Sequence, residues 1–287
     1  MKELLLAALF ISTLLTARAQ SPRPVWNVMS FNIRYNNPQD GLNAWPNRKD
    51  MAAKVFTDYN VDLAGLQEAL AGQIYDLQQQ LPNYAWIGVG RDDGKTKGEF
   101  SPIFYRKDRF DLLKDGTFWL SETPDVAGSK SWDAAITRVA TYGIFRDKRS
   151  GQEVFYLNTH FDHMGEQARQ QSATVIVRKL AELAGNRPVL LTGDLNSPET
   201  APALQTLTTD ATVKLTNARH RSESEPTGGE STFNGFGQAK PGPAIDFILV
   251  GPGFTVLRHD YLPIYREKDG VYVSDHWPVL SRIRLDG

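Results

Sequence analysis

Acidic, amide and imidazole side chains recur at the ends of apolar, strand-like runs along this sequence. The set comprises Asn32, Glu68, His160, Asp194, Asn196, Asp246, Asp275 and His276. A rigid sheet fixes a side chain at a strand end and leaves its tip accessible, so ligand sites collect at such positions. Taken alone, a strand-end Asn or an Asp-Asn pair is more typical of a turn or a cap, and a single His is more typical of a core or surface group. The prediction of a site therefore depends on the combination.

Asp246 is the hardest of these residues to explain as a surface group. It lies between Ile245 and Phe247 in an apolar strand-like run. An unpaired carboxylate in such a strand costs several kcal/mol, so it needs a partner. A histidine is the natural candidate for that partner.

The residue types of the set indicate a particular chemistry. They supply carboxylate and amide oxygens and two imidazoles, and the chain has no cysteine. Oxygen donors without thiolates suit a hard divalent cation such as Mg²⁺, Mn²⁺ or Ca²⁺. Histidines beside such a cation suit phosphate chemistry, because one stabilises an oxyanion or protonates a leaving group while an aspartate orients another. The set therefore predicts metal-assisted phosphoester hydrolysis.

The elements that position these residues follow from the hydrophobic periodicity. Apolar runs predict β-strands over 25–33, 61–67, 84–90, 101–106, 137–145, 153–161, 188–194, 244–251 and 278–285. Helical periodicity predicts helices over 47–59, 70–81 and 165–184. So many strands exceed what one sheet with these helices would use, which favours an α/β fold with two sheets packed face to face and helices outside. The segment 206–243 predicts a long surface loop region, either functional or a tolerated insertion.

The N-terminus predicts export. Lys2 precedes an apolar run over 4–15, and Ala-Arg-Ala follows at 17–19. The run is too short to span a bilayer, which favours a signal peptide over residues 1–19 rather than a retained anchor helix. We therefore expect one mature domain over residues 20–287, secreted or periplasmic, without a stable membrane span.

Composition narrows the class further. The chain has 287 residues, no cysteine and a net charge of −1. Without disulfides a secreted chain must be stabilised by its own core, and this length can bury one that is large enough. The near-neutral charge disfavours a polyanion-binding surface. It does not exclude one, because a few arginines around a cleft suffice.

Five motifs carry a resemblance to a known family. "SFNIR", "LQE", "GDLNSPE", "AIDFILV" and "SDHWPV", in this order, resemble the motifs of the endonuclease/exonuclease/phosphatase superfamily, including its deoxyribonuclease-like members. The resemblance covers essentially the whole of residues 20–287. It implies a four-layer α/β/β/α sandwich of two packed mixed β-sheets with outer helices, and an active site at one edge of the paired sheets. It also implies a metal-dependent phosphoric ester hydrolase, which we expect to be a monomer.

The resemblance assigns metal binding and water activation to specific residues. It implies Glu68 as the principal metal ligand, with Asn32 beside it and Asp275 completing the metal environment. It implies that Asp194 orients or deprotonates the attacking water and that Asn196 positions this water and the phosphate. The expected cation is Mg²⁺, with Mn²⁺ or Ca²⁺ as alternatives.

Two histidine–acid pairs are implied in the same way. His276 is expected to contact the phosphate while Asp246 holds it as an ion pair. In the deoxyribonuclease branch a second pair occurs, and His160 with Glu99 matches it here. A solvated loop carboxylate is the alternative for Glu99.

Arginines complete the expected substrate side. Arg138 matches the position of a phosphate-binding arginine, with a structural salt bridge as its alternative. Arg34, Trp45 and Arg48 are expected to line the substrate side of the pocket, although an Arg/Trp loop is as often packing as recognition.

The sequence leaves the substrate open among a phosphorylated small molecule, a lipid headgroup and a nucleic acid. Apolar segments at 118–120 or 234–237 would supply the exposed edge that a lipid substrate needs, but both are equally typical of core or turn. A secreted nuclease acting on DNA or RNA is one alternative, and a non-catalytic phosphate-ligand binder that retains the fold is another. A two-carboxylate carbohydrate hydrolase is disfavoured, since it needs no metal.

Overall fold

The computed structural model describes residues 23–286, which form two packed six-stranded β-sheets with helices on their outer faces. The predicted signal peptide over 1–19 lies outside the described residues. The strands are β1 (Val25–Asn32), β2 (Leu63–Gln67), β3 (Tyr84–Ile87), β4 (Ile103–Arg106), β5 (Phe110–Trp119), β6 (Val139–Asp147), β7 (Glu153–His160), β8 (Val189–Asp194), β9 (Thr216–Asn217), β10 (Asp246–Val250), β11 (Phe254–Tyr261), β12 (Tyr265–Arg266), β13 (Val271–Tyr272) and β14 (Val279–Leu285). The helices are α1 (Trp45–Asp58), α2 (Ala71–Gln80), α3 (Glu166–Leu183) and α4 (Pro202–Thr209).

The strand order brings the ends of central strands together. The first sheet has the order β11-β14-β1-β2-β4-β3, and the second has the order β5-β6-β7-β8-β10-β9. Only β1 with β2 and β7 with β8 pair in parallel among the strands of these two described sheets. Their registers place Asn32 opposite Gln67 and His160 opposite Asp194. The carboxyl ends of these strands therefore present their side chains at a common edge.

Three apolar clusters account for the four layers. One cluster fills the space between the sheets and includes Trp26, Tyr156 and Ile248, all fully buried. A second packs α1 and α2 on the first sheet, and a third packs α3 and α4 on the second. The predicted α/β/β/α sandwich is thus confirmed.

A buried polar cluster joins the two sheets directly beneath the edge that carries the site. Asn158 on β7 donates to the carbonyl oxygens of Leu66 (2.7 Å), which lies in β2 of the other sheet, and Pro102 (3.0 Å), which directly precedes β4 of that sheet. A Cβ at Gly65 would lie 2.2 Å from Thr192 Oγ1, so only glycine permits this close approach. The relative position of the two sheets is therefore fixed where both contribute to the site.

Most predicted elements are present, with some differences. The helices predicted over 47–59, 70–81 and 165–184 correspond to α1, α2 and α3. The long strands β5 and β11 were missed, because much of β5 is exposed and polar and β11 contains a bulge. The predicted loop region over 206–243 instead includes the end of α4, β9 and the buried residues Leu215 and Thr232.

The apolar segment 118–120 belongs to the core, since all three of its side chains are buried. It therefore does not supply the exposed edge considered for a lipid substrate. Among the helices that the structure describes over 23–286, none combines the length and the apolar character that crossing a bilayer requires.

Candidate active site

A cavity of about 640 Å³ opens at the edge where β1, β2, β7 and β8 end. Most residues predicted from the sequence line it: Arg34, Glu68, Glu99, Arg138, His160, Asp194, Asn196, Asp275 and His276. Of the others, Asn32 and Asp246 are buried behind this wall and bond to residues that form it. The structure therefore brings together residues that lie far apart along the chain.

Asn32 links carboxylates from both sheets. Its Nδ2 donates to Asp194 Oδ2 at 2.9 Å and to Glu68 Oε1 at 3.1 Å. Asn32 is fully buried at the end of β1, and Asp194 is the last residue of β8 in the opposite sheet. One amide thus sets the distance between the two acids.

Glu68 and Asp275 converge on one small volume. Arg34 NH1 lies 3.9 Å from Glu68 Oε2, and Arg34 Nε lies 3.7 Å from Asp275 Oδ2. Burial lowers the pKa of Arg34, but its hydrogen bond to Asp40 and the carboxylates of Asp275 and Glu68 raise that pKa above its ordinary value overall. With Asn32, these two carboxylates form the all-oxygen donor set that a hard divalent cation prefers. The residues therefore fit the predicted cation.

The buried Asp246 has the partner that its apolar strand requires. Asp246 Oδ2 lies 2.8 Å from His276 Nδ1, and both side chains are almost fully buried. Burial lowers the pKa of His276, but the carboxylates of Asp246 and Asp194 raise it well above its ordinary value overall. Ligand atoms of Asp194, Asp246 and His276 lie within 4.8 Å of one another. Because His276 Nδ1 and Asp246 Oδ2 already bond each other, we assign this group to holding the imidazole.

Asp194 is a buried acid surrounded by polar groups. Burial and the neighbouring Asp246 carboxylate raise its pKa to about 7. Its Oδ2 lies 3.4 Å from His160 Nε2 and 3.8 Å from His276 Nε2. Asn196 Nδ2 lies 3.0 Å from His160 Nε2 and donates to the carbonyl oxygen of Phe161 at 3.0 Å. The amide and the imidazole therefore hold each other beside the carboxylate.

Two tight turns explain the spacing of the polar residues. Asn32 Oδ1 accepts the backbone N–H of Arg34 at 2.9 Å, and Asp194 Oδ1 accepts that of Asn196 at 3.0 Å. These contacts two residues apart are Asx-type turns. Three of the polar residues have left-handed backbones: Arg34 (φ 53°), Asn196 (φ 45°) and Glu68 (φ 59°). This conformation costs about 1 kcal/mol or more in a non-glycine residue. Local strain thus accompanies the residues expected to do chemistry.

The sequence comparison decides the family. The profile of the Endonuclease/Exonuclease/phosphatase family matches residues 26–276. The chain belongs to this family. Its members hydrolyse phosphoesters and generally use divalent metal ions.

Similar proteins come from Bacteroides species and from an animal. The endonuclease/exonuclease/phosphatase of Bacteroides vulgatus has a TM-score of 0.88 and 42% identity, covering 92% of this chain and 100% of that one. The mannosyl-6-phosphatase of Bacteroides thetaiotaomicron VPI-5482 has a TM-score of 0.83 and 37% identity, covering 90% of this chain and 99% of that one. Nocturnin of Drosophila melanogaster is 24% identical over 199 residues, covering 63% of this chain but only 29% of that protein.

The predicted His160–Glu99 pair is not formed in this member of the family. Glu99 Oε2 instead accepts Arg91 NH1 at 2.6 Å, and His160 Nδ1 is buried without a hydrogen-bond partner. Burial raises the pKa of Glu99, whereas burial and the charge of Arg138 lower that of His160 well below its ordinary value. Glu99 still lines the cavity, but its carboxylate accepts a hydrogen bond from an arginine eight residues earlier in the chain.

Trp45 and Arg48 do not line the cavity, contrary to expectation. Arg48 is fully buried and donates to the backbone carbonyls of Ile33, Arg34, Asn43 and Val273. Burial lowers its pKa to about 10. Trp45 is buried as well and donates to Asp76 at 2.9 Å. Both residues therefore hold the loop behind the site.

Arg138 lies in the cavity wall and is 5% exposed. Its Nε lies 3.6 Å from Asp162, and its NH2 lies 3.1 Å from His163 Nδ1. The sequence reasoning missed His163 and the apolar wall residues Ile136, Phe233 and Ile245. A signal for His163 was present, since it follows His160 by three residues in the motif "HFDHMG". The apolar residues carry no such signal.

Proposed function

We propose that this protein is a divalent-metal-dependent phosphoesterase that hydrolyses a phosphomonoester by in-line attack of water. One observation carries the proposal. A single cavity is lined by the acids Glu68 and Asp275 together with Asp194, Asn196 and His276. Positioned acids, an amide and an imidazole are what water attack on phosphorus requires.

Each residue of the proposed active site has a role that its contacts support. Asp194 Oδ2 accepts the proton of the attacking water, and Asn32 holds this oxygen through a 2.9 Å hydrogen bond. Asn196 positions the water and a phosphoryl oxygen. His276 presents Nε2 to the phosphate, since Asp246 occupies its Nδ1. Because these groups are fixed before substrate arrives, little reorganisation is needed in the transition state.

Glu68, Asp275 and Asn32 would hold the cation. When bound, a hard divalent ion neutralises charge on the phosphoryl oxygens and on the leaving group. Arg34 lies between the two carboxylates, which keeps them converged on the same volume. Arg138 adds positive charge to the wall of the same cavity.

A hexose phosphate is the substrate class that we favour. The relative that is 37% identical and matches 90% of this chain is a mannosyl-6-phosphatase. The chain has a net charge of −1, so its overall field does not attract an extended polyanion. A compact phosphomonoester needs only the local cations of the cavity.

The test is a panel assay with purified protein and mannose 6-phosphate, bis-p-nitrophenyl phosphate, single-stranded DNA and RNA. We expect phosphate release from the sugar phosphate with Mg²⁺ or Mn²⁺, complete loss in EDTA, and recovery when the metal is restored. His276→Ala should lower turnover by about 100-fold or more. His220→Ala is the matched control, because His220 is an exposed imidazole that pairs with Glu199 outside this cavity. Activity that survives EDTA, or a His276→Ala enzyme of near-normal turnover, refutes the proposal.

We also propose that residues 1–19 direct export and are then removed, and that the mature protein is a monomer. The apolar run over 4–15 and the small residues at 17 and 19 support the export step. N-terminal sequencing of the exported protein should begin at Gln20, and light scattering should give the mass of one chain. A cytoplasmic protein that retains Met1 would contradict the first expectation, and a larger assembly would contradict the second.

A further inference from the structure

His163 is a cavity residue that the proposed hydrolysis does not use. It lines the same cavity as Asp194 and His276, and its side chain is exposed there. Its Nδ1 lies 3.1 Å from NH2 of the buried Arg138. What it contributes to the proposed function follows from this single contact.

The contact fixes the tautomer of His163. A guanidinium can only donate hydrogen bonds, so His163 Nδ1 must be the acceptor. An imidazole whose Nδ1 accepts carries its proton on Nε2. His163 therefore offers one N–H donor, on Nε2, at the cavity wall.

The backbone around His163 is held in place by the residue before it. Asp162 accepts N–H groups from its own loop, at 3.0 and 2.8 Å, and from the segment before β6, at 3.1 and 3.3 Å. The same carboxylate lies 3.6 Å from Arg138 Nε. One buried acid thus ties the loop of His163 to the segment that carries Arg138. A donor fixed in this way recognises a partner without a large ordering cost.

Apart from Tyr35, the remaining cavity wall is apolar. Phe233 is 41% exposed and packs edge-to-face on His276, with 5.0 Å between ring centroids. Ile136 and Ile245 line the cavity as well. Beyond the catalytic groups, the cavity therefore combines an aromatic surface with the fixed N–H donor of His163. A pyranose ring has the matching properties, an apolar C–H face and an edge of hydroxyl groups.

We propose that His163 is a specificity-determining residue that donates its Nε2–H to a hydroxyl or ring oxygen of a sugar leaving group, while Phe233 covers the apolar face of that sugar. This inference rests on the proposed phosphomonoesterase activity. His163 touches no reacting atom in this arrangement, so its contribution depends on the leaving group. An aryl phosphate lacks the hydroxyl groups and does not use the donor.

The experiment compares two substrates in two variants. His163→Leu removes the donor, and His163→Gln keeps an N–H group on a side chain of similar reach. For mannose 6-phosphate we expect kcat/KM of His163→Leu to fall about tenfold, as for one lost hydrogen bond, and that of His163→Gln to stay close to wild type. For p-nitrophenyl phosphate we expect both variants to stay within about twofold of wild type. His220→Leu is the control and should change neither substrate.

Other outcomes distinguish a failure of this inference from a failure of the proposed function. Equal losses on both substrates overturn it, because His163 would then act on the phosphate through Arg138. Unchanged kcat/KM for the sugar phosphate overturns it as well. A wild-type enzyme that hydrolyses neither phosphomonoester instead refutes the proposed function, and the inference falls with it. Thermal melts of both variants identify any loss that comes from misfolding.

Discussion

Two clusters of buried charged side chains lie at opposite ends of β2 and β6. They differ in whether cations balance the carboxylates. Asp62 immediately precedes β2, whereas Glu68 immediately follows it. On β6, Asp147 is the last residue, and Arg138 lies just before the first. Each strand thus has a structural charge at one end and a cavity residue at the other.

The charges at the structural end are paired. Arg109 lies 3.0 Å from Asp62 and 3.2 Å from Asp147, and all three residues are buried. Trp26 Nε1 donates to Asp147 at 2.7 Å, and the backbone N–H of Asn27 donates to Asp62 at 2.9 Å. Arg106 NH1 also lies 3.7 Å from Asp62 Oδ1, so each of the two carboxylates has a guanidinium beside it.

The charges at the cavity end are not matched. The carboxylates there exceed the cations that contact them: Glu68, Asp194, Asp246 and Asp275 against Arg34 and His276. Burial raises the pKa of Asp275, and burial with the charge of Asp246 raises that of Asp194. A protein keeps such an arrangement at a cost in stability, and the cost is typical of functional sites. The difference between the two ends distinguishes charge that holds the fold from charge available for chemistry.

Asp194→Asn changes the cavity end, and we expect it to have the largest effect. We expect turnover to fall by at least about 100-fold, since the proton acceptor is lost. In EDTA the free energy of unfolding at pH 7 should rise by about 1 kcal/mol, because the variant no longer buries a carboxylate with a raised pKa. Urea unfolding and steady-state kinetics measure the two quantities. A loss of stability would show that the charge is compensated and would remove the contrast.

Arg109→Met makes the reciprocal change at the matched end. It leaves the buried Asp147 without its cation and Asp62 with only the more distant Arg106, so we expect a loss of about 3 kcal/mol in the free energy of unfolding. Because Arg109 does not line the cavity, kcat/KM should be unchanged well below the melting temperature. Urea unfolding checks the first expectation. A large drop in kcat/KM of the folded variant would mean that the two ends are coupled.

His259 extends this comparison, because it is a buried imidazole with no carboxylate hydrogen-bonded to it. Its Nδ1 contacts Ser281 Oγ at 2.8 Å, and burial with the charge of Arg219 lowers its pKa from 6.5 to about 3. The unfolded chain therefore binds the proton first as the pH falls, and stability is lost between about pH 6.5 and about pH 3. At pH 5 this group costs about 2 kcal/mol.

The variant His259→Gln should remove this acid-dependent loss. We expect the difference in unfolding free energy between pH 7 and pH 5 to shrink by about 2 kcal/mol relative to wild type. Urea unfolding at both pH values gives the comparison. An unchanged pH dependence would contradict the assignment of this buried histidine as neutral.

The smallest expected effect concerns backbone strain away from the cavity. Lys214 has φ 47° in the turn after α4, in the same left-handed region as Glu68 and Asn196. Lys214→Gly should raise the free energy of unfolding by about 0.5 kcal/mol and leave activity unchanged, because glycine adopts this backbone without steric cost. A thermal melt and a kinetic assay test both points. A loss of stability would show that the lysine side chain outweighs the strain.

The sequence predicted features that depend on local pattern, and it failed where long-range pairing decides. The Asp246–His276 pair followed from a carboxylate in an apolar strand, which has few alternatives. The partner of Glu99 depends on the path of the loop between 88 and 99, and no periodicity encodes that path. There the structure has Arg91 in place of His160.

Arginine was misread for a related reason. Arg48 occurs in a polar-looking segment, yet its guanidinium is fully buried among backbone carbonyls. Most of those acceptors are distant along the chain, just after β1 and in the segment before β14, and no local pattern indicates them. The apolar wall residues of the cavity were missed likewise, because Phe233 and Ile245 meet the site only after the chain between β9 and β10 has folded.

Thermal unfolding with and without Mg²⁺ tests most directly whether the carboxylates at the cavity end bind a cation. The comparison uses wild type and Glu68→Gln, and it needs no substrate. We expect millimolar Mg²⁺ to raise the Tm of the wild type by several degrees and to leave the Tm of Glu68→Gln unchanged, since a ligand stabilises only the state that binds it. Equal shifts in both proteins, or no shift in the wild type, would contradict a cation site built on Glu68 and Asp275.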